Sequence, residues 1–72
     1  MSVVDLKPGE KGHVDILKTN DKLKKRLYAL GCIEGTEICL KGSAPLGDPV
    51  LISIRGFNLA LRKGDAKEIY IK

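Results

Sequence analysis

The segment from Leu27 to Pro49, LYALGCIEGTEICLKGSAPLGDP, predicts more of the fold than any other part of the chain. It opens with the end of an apolar stripe and reaches Gly31, a residue type that suits the left-handed position after a helix. Gly35 then allows a tight turn before the alternating residues 37–41. The segment closes with Pro45–Pro49, where two prolines fix the backbone and the glycine between them permits a reversal. We therefore predict a helix, a turn, a strand and a rigid loop, in this order.

The residues just before this segment predict the rest of the helix. Residues 22–30 have helical periodicity, because their leucines recur at positions i, i+4 and i+7. Asn20 or Asp21 is suited to cap the amino end. The helix should span about three turns. Its apolar stripe consists of Leu23, Leu27 and Leu30.

Most of the remaining chain alternates with a period of two, which is typical of strands with one buried face. In the first such segment, the alternation places Val14 and Ile16 on one face and Leu17 on the other. The predicted strands are 13–17, 37–41, 50–55, 59–61 and 69–71.

The connections between these strands carry turn residues. Pro8-Gly9 predicts a turn before the first strand. Arg55–Asn58 predicts a hairpin between the third and fourth strands. Arg62–Ala66 is a short polar connection with room for one helical turn. This order predicts a mainly β fold, a small and strongly bent antiparallel barrel of about five strands with one inserted α-helix.

The composition limits the kind of protein this can be. Its 72 residues predict a single domain over 1–72, which buries only about 60% of its unfolded surface and has little room for an enclosed active site. Two tyrosines, one phenylalanine and no tryptophan imply an aliphatic core. The longest apolar run, Val50–Ile52, is far shorter than the roughly 20 residues of a membrane span, and no signal peptide is visible. We expect a cytoplasmic protein without membrane insertion.

The sequence offers no recognisable catalytic set. His13 is the single histidine, and no serine has the context of a nucleophile elbow. No glycine-rich phosphate-binding motif occurs. Asp48, between a glycine and a proline, suits a turn residue that bonds its own backbone. We expect no catalytic residue and no cofactor.

The sequence also contains few potential metal ligands of the cysteine or histidine type. Cys32, Cys39 and His13 could give three ligands at most, whereas a structural zinc site uses four. A disulfide between the two cysteines is disfavoured in a reducing cytosol. We expect two partly buried thiols and no metal site.

The basic residues are concentrated in one segment. Lys18–Arg26 holds five basic residues and one acidic residue, so its charge of +4 equals the net charge of the whole chain. Basic side chains near the amino end of a helix oppose its macrodipole, at a cost of about 0.3–1 kcal/mol each. Two interpretations follow, a surface kept for binding a partner and a solvated face that keeps the protein soluble.

Two motifs of the opening segment, LGCIEG at 30–35 and APLGDP at 44–49, together resemble the FeoA family of small cytosolic proteins of bacterial ferrous iron uptake. The resemblance continues through residues 50–56 and 59–62. It extends over the chain from Leu6 to Ile71.

This resemblance implies an SH3-like barrel and an accessory role in ferrous iron uptake. It implies one partner, the membrane transporter FeoB, whose cytosolic part binds GTP. The chain itself would then bind no nucleotide, need no cofactor and act by protein–protein interaction. Glu34 departs from the family pattern, which usually has a proline there, and this departure loosens the turn.

We expect the contact surface for the transporter on the helix, with the proline-flanked loop as a second contact. On an ideal helix, Lys24 and Tyr28 lie one turn apart on one flank of the apolar stripe, whereas Lys25 points away from the stripe. The candidate partner-binding residues are Lys24, Lys25, Leu27, Tyr28, Leu46, Gly47 and Asp48.

Two other classes of protein stay open. The basic segment is typical of a small nucleic-acid-binding barrel, although such barrels also use stacking aromatic residues, for which only Phe57 and Tyr70 qualify. The second class is a stand-alone regulatory module similar to the FeoA-like domain of iron-dependent repressors, although no helix-turn-helix pattern occurs. We expect no specific nucleic-acid binding, and the sequence predicts no particular oligomeric state.

Overall fold

The computed structural model describes all residues from Met1 to Lys72. All five strands pair antiparallel in one sheet of order β4-β3-β2-β1-β5. In chain order, the elements are a 3-10 helix (Val3–Asp5), β1 (Lys11–Leu17), α1 (Asp21–Ala29), β2 (Glu37–Ser43), β3 (Val50–Ile54), β4 (Phe57–Leu61), α2 (Lys63–Ala66) and β5 (Ile69–Ile71). The predicted mainly β fold with one inserted helix is confirmed, as is the helical turn before the last strand. The amino-terminal 3-10 helix was not predicted.

Both predicted ends of helix α1 are confirmed. The Asn20 side chain accepts a hydrogen bond of 2.8 Å from the backbone N–H of Leu23, so Asn20 rather than Asp21 is the cap. Gly31 has φ of +84°, and its N–H donates to the carbonyl of Tyr28 at 2.9 Å. The helix therefore ends because glycine takes a backbone conformation that other residues rarely adopt.

The core is aliphatic, as the composition implies. Its largest fully buried side chains include Leu27 of α1 and Ile38, Ile52 and Ile54 of the sheet, each at 0% exposure. None of the aromatic side chains belongs to this core. The core cluster consists of Val3, Leu6, Val14, Leu17, Leu23, Leu27, Cys32, Ile38, Leu40, Val50, Ile52, Ile54, Leu59, Leu61, Ala66, Ile69 and Ile71.

Strand β1 departs from the predicted alternation. The pairing of β1 with β5 shifts register between Val14 and Ile16, which is the signature of a β-bulge. After the bulge, Leu17 is buried at 6% exposure and Ile16 is 50% exposed. The prediction that Ile16 shares the buried face with Val14 is wrong, because the bulge turns the following residues over.

The hairpin between β3 and β4 reaches the end of helix α1. Its turn residues Arg55 and Gly56 both have positive φ, at 49° and 85°, as a two-residue turn that follows the twist of the sheet requires. A Cβ atom on Gly31 would lie 2.9 Å from Cδ of Arg55. The carboxyl end of α1 therefore packs against this hairpin.

The two edge strands of the sheet differ in whether another segment of the chain covers them. The amino-terminal residues cover β5, where the N–H of Ile71 donates to the carbonyl of Met1 at 2.8 Å and Ser2 bridges to Tyr70. Strand β4 pairs with β3 alone. The longest helix, α1, has nine residues, and none of the helices could span a membrane.

Candidate functional site

Helix α1 forms a groove with strand β1 along one of its flanks. This groove of about 460 Å³ is named the Tyr28 groove. The helix contributes two residues one turn apart, and the groove has its other wall on β1. Its lining includes Asp15, Ile16 and Leu17 of β1, Lys24 and Tyr28 of α1, and Glu34.

Apolar side chains stand exposed in and beside the Tyr28 groove. Tyr28 is 52% exposed and Ile16 is 50% exposed. Ile33, at 58% exposure, directly precedes the groove residue Glu34. Because the β-bulge turns Ile16 outward, the strand gives this groove an apolar wall that faces the aromatic ring of the helix. Exposed apolar and aromatic side chains of this kind are typical of interface cores.

Charges of both signs border the Tyr28 groove. Lys24 is half-buried on the helix side, and Asp15 and Glu34 are exposed acidic residues on the other side. Glu34 also forms an ion pair with Lys72, with 3.0 Å between Oε2 and Nζ. The groove is therefore lined both by apolar side chains and by charges of either sign.

The other flank of α1 forms a second groove, with strand β4. This groove of about 380 Å³ is named the Arg26 groove. Its residues include Lys22 and Arg26 of α1, Ala60 and Leu61 of β4, and Arg62 and Asp65 of the region that follows. The basic segment of the sequence is thus divided, with Lys24 in one groove and Lys22 and Arg26 in the other.

The predicted helical contact residues do not all reach one surface. Lys24 and Tyr28 lie together in the Tyr28 groove. Lys25 is exposed and lines neither groove. The prediction that Leu27 contributes to a contact surface is wrong, because its side chain is 0% exposed and belongs to the core.

The proline-flanked loop presents one apolar side chain on an anchored backbone. Leu46 is 97% exposed. The loop is closed by the N–H of Gly47, which donates to the carbonyl of Ala44 at 2.7 Å, and by the N–H of Ala44, which donates to the carbonyl of Pro49 at 2.9 Å. These bonds hold Leu46 out in solvent.

Asp48 of this loop does not bond its own backbone as predicted. Its Oδ1 atom accepts a hydrogen bond of 3.0 Å from the N–H of Lys63, the first residue of α2. The carboxylate therefore ties the loop to the short helix. None of Leu46, Gly47 and Asp48 lines the Tyr28 groove, so the two predicted contact regions do not share a groove.

The cysteines and the histidine form no cluster of metal ligands. Cys32 is fully buried and Cys39 is half-buried, and no three Cys, His, Asp or Glu side chains come together as metal ligands would. Burial raises the pKa of the Cys32 thiol, which disfavours the thiolate form that binds metals and reacts.

Ile16, Ile33 and Glu34 lie in or directly beside the Tyr28 groove, and none of them was among the sequence candidates. Ile16 is followed by the buried Leu17, and Ile33 is preceded by the buried Cys32. In an extended or turning chain, two adjacent apolar residues rarely face the same side, so one of each pair could be expected outside. Glu34 carried a signal as well, since a charged residue stood where a proline was expected.

Comparison with known proteins gives one family over the whole chain. A family model described as the FeoA domain matches residues 1–72. A relative from Porphyromonas gingivalis, the Fe(2+) transport protein A/Fe(2+) transporter FeoB fusion protein, is 29% identical over 72 residues. The match covers 100% of this chain and 8% of that protein, so the chain corresponds to a small part of the fusion.

Solved structures of FeoA proteins have the same fold. The FeoA protein of Chlorobium tepidum superposes with a TM-score of 0.92 at 30% sequence identity, over 99% of this chain and 68% of that chain. The FeoA protein of Stenotrophomonas maltophilia, crystallised in complex with zinc and described as an SH3 domain protein, superposes with a TM-score of 0.85 at 26% identity, over 100% of this chain and 89% of that chain.

Proposed function

Because this chain belongs to the FeoA family, we propose that it is a cytoplasmic accessory protein of ferrous iron uptake that binds the cytosolic part of a FeoB-type GTPase transporter. The family is linked to ferrous iron transport. The observation that carries the proposal is the Porphyromonas gingivalis fusion, in which a protein A segment and a FeoB transporter form one polypeptide. Linking two proteins covalently raises their effective concentration for each other, which is useful where the two proteins must meet.

We propose the Tyr28 groove as the surface for this partner. Tyr28 and Ile16 offer exposed apolar area, and aromatic side chains in the centre of an interface often contribute most of the binding energy. Lys24 and Asp15 at the rim provide charges of both signs that can set the orientation of a partner.

The proline-flanked loop that carries Leu46 supports this proposal as a second contact. A leucine that is 97% exposed on a backbone closed by short hydrogen bonds loses little conformational freedom on binding. A partner that uses both the loop and the Tyr28 groove must contact two surfaces that share no lining residue. A folded cytosolic domain of a transporter meets that requirement.

The proposed activity is binding rather than catalysis. The Tyr28 groove is lined by apolar residues, a tyrosine and three charged side chains. His13 lines neither groove. The protein would act on the assembly or activity of the transporter by occupying a surface of it, and it would need no cofactor of its own to do so.

A pair of matched charge reversals tests the proposal. Lys24→Glu changes the Tyr28 groove, whereas Lys25→Glu makes the same change on a neighbouring residue that lines neither groove. We expect Lys24→Glu to weaken binding to the cytosolic domain of the transporter in isothermal titration calorimetry, and to lower ferrous iron uptake in cells. Lys25→Glu should behave as the wild type in both assays.

Two results would overturn the proposal. If the wild-type protein does not bind the cytosolic domain of the transporter, the partner is wrong. If both reversals bind equally well and support normal uptake, the Tyr28 groove is not the contact surface.

A further inference from the structure

Strand β4 has an open edge in the structure. The two-residue turn at Arg55-Gly56 makes Ile54 and Phe57 a hydrogen-bonded pair, and such pairs alternate along an antiparallel ladder. Asn58 and Ala60 therefore point their N–H and C=O groups away from β3. Both residues are exposed, and no backbone hydrogen bond joins them to any element outside the β3–β4 pair. An unpaired edge of this kind can accept another strand.

The open edge lies beside the Arg26 groove. Ala60 belongs to both, because it is one of the β4 residues that line the groove. Helix α1 forms the opposite wall through Lys22 and Arg26. Space between a sheet edge and a helix is where an extended peptide binds in strand-addition complexes, with backbone hydrogen bonds to the edge and alternate side chains directed to the walls.

The walls of the groove are basic. Lys22 and Arg26 are four residues apart and share one flank of the helix, and Arg62 adds a third cation at the end of β4. Asp65 is the one acidic residue among the lining side chains. The two ion pairs of the structure, Lys11–Glu37 and Lys72–Glu34, involve none of these cations. The positive charge is therefore free to meet an acidic ligand.

From these observations we propose that the Arg26 groove binds an extended acidic segment of a partner protein, which adds to the sheet as a strand beside β4. The backbone of the segment would pair with Asn58 and Ala60. Acidic side chains at every second position would face the same side and meet the cations of the groove. This surface is separate from the Tyr28 groove, so the inference does not depend on the proposed function.

Two other occupants fit the observations less well. A single-stranded nucleic acid would use aromatic side chains to stack its bases, and the Arg26 groove has none among its lining residues. A second copy of the chain would bring two identical surfaces together, as a two-fold interface requires. That pairing would place one set of cations next to the other.

The test uses a fluorescein-labelled peptide in which glutamate and threonine alternate, and measures its fluorescence anisotropy with the full chain. We expect saturable binding that weakens as salt is added, because exposed charges are screened. A matched peptide with lysine in place of glutamate should not bind. Ala60→Pro removes an N–H that the β3–β4 ladder does not use and that an edge strand can lose. It should weaken binding by about tenfold, the value of one good hydrogen bond.

A second peptide series keeps the test independent of the folding of the variant. Methylation of every second backbone nitrogen gives two peptides, one methylated at the odd positions and one at the even positions. Only one of the two methylation patterns blocks pairing with the β4 edge. We expect one methylated peptide to lose binding to the wild-type protein and the other to retain it.

Four results would overturn the inference. These are no binding of the acidic peptide to the wild type, equal binding of the lysine peptide, equal binding of both methylated frames, and tighter binding of a single-stranded oligonucleotide than of the acidic peptide. Analytical ultracentrifugation adds one more, since a dimer that Ala60→Pro converts to monomer would assign the edge to a second copy of the chain.

Discussion

The two flanks of helix α1 offer different chemistry although they are separated by one apolar stripe. The Tyr28 groove is lined by the exposed Ile16 and Tyr28 and by charges of both signs. The Arg26 groove is lined by three cations and borders an unpaired strand edge. The dense run of basic residues on α1 therefore does not form one continuous basic surface. Helical geometry sends its charges in several directions, and the strand that each flank meets decides what kind of groove results.

The largest expected effect comes from a substitution that loosens helix α1, which forms one wall of both grooves. Leu27 lies on the stripe between the flanks and is 0% exposed, so Leu27→Ala should destabilise the protein by about 3 kcal/mol through lost burial and a cavity. A domain of this size has a net stability of roughly 3–5 kcal/mol, so most of it would be lost. Urea denaturation followed by circular dichroism measures this. A midpoint close to that of the wild type would mean that Leu27 does not hold the helix on the sheet.

The next effect concerns the end of the helix that both flanks share. Gly31 has φ of +84°, and a Cβ there would lie 2.9 Å from Cδ of Arg55. Gly31→Val should destabilise by about 2 kcal/mol, because a β-branched residue is strained at positive φ.

A matched pair of alanine variants separates strain from crowding at this position. Gly35 also has positive φ, at 87°, but a Cβ there would meet nothing within 4 Å. Gly31→Ala should therefore lower the urea midpoint more than Gly35→Ala does. Equal midpoints would show that Arg55 moves aside freely and that the packing of the helix end on the hairpin contributes nothing.

The third effect compares the flanks directly in binding. Tyr28 is 52% exposed, so Tyr28→Ala should change stability little but weaken binding to the cytosolic domain of the transporter by about tenfold, as loss of an aromatic interface residue does. Arg26→Ala, on the other flank, should leave that affinity within about twofold, as peripheral contacts do. Calorimetric titration of both variants measures the difference. The reverse ranking would move the contact surface to the Arg26 groove.

The smallest effect is a difference in stability between two charge reversals on α1. Lys22 is in the first turn of α1, where an acidic residue suits the macrodipole and can pair with Arg26 four residues later, so Lys22→Glu should stabilise by about 0.5 kcal/mol. Lys24→Glu places its new charge in a groove that already contains Asp15 and Glu34, and should stabilise less or destabilise. Thermal denaturation at low salt measures both variants. An identical gain from both would mean that the acidic residues of the Tyr28 groove do not act on position 24.

Much of the architecture follows from local patterns in the sequence. The cap at Asn20 or Asp21, the glycine stop at Gly31 and the hairpin at Arg55–Asn58 were each predicted from neighbouring residues alone. The structure has the cap at Asn20, the stop at Gly31 and the hairpin turn at Arg55-Gly56. The alternation in β3 also gave the correct buried face, because Val50, Ile52 and Ile54 are buried.

What could not be predicted depends on partners that are distant in the chain. The β-bulge that exposes Ile16 arises where β1 meets β5. The bond that ties Asp48 to Lys63 spans 15 residues. For the same reason, the helical pattern placed Lys24 and Tyr28 on one flank correctly, but it could not show that the flank faces Ile16.

A nuclear magnetic resonance titration would locate the surface of this protein that binds the transporter. The labelled protein is titrated with the unlabelled cytosolic domain of a FeoB-type transporter, and amide shifts are followed residue by residue. We expect the largest changes around the Tyr28 groove, at Ile16, Lys24, Tyr28 and Glu34, with a second set at the proline-flanked loop that carries Leu46. Changes confined to the Arg26 groove and the β4 edge, or no changes at saturating partner, would contradict it.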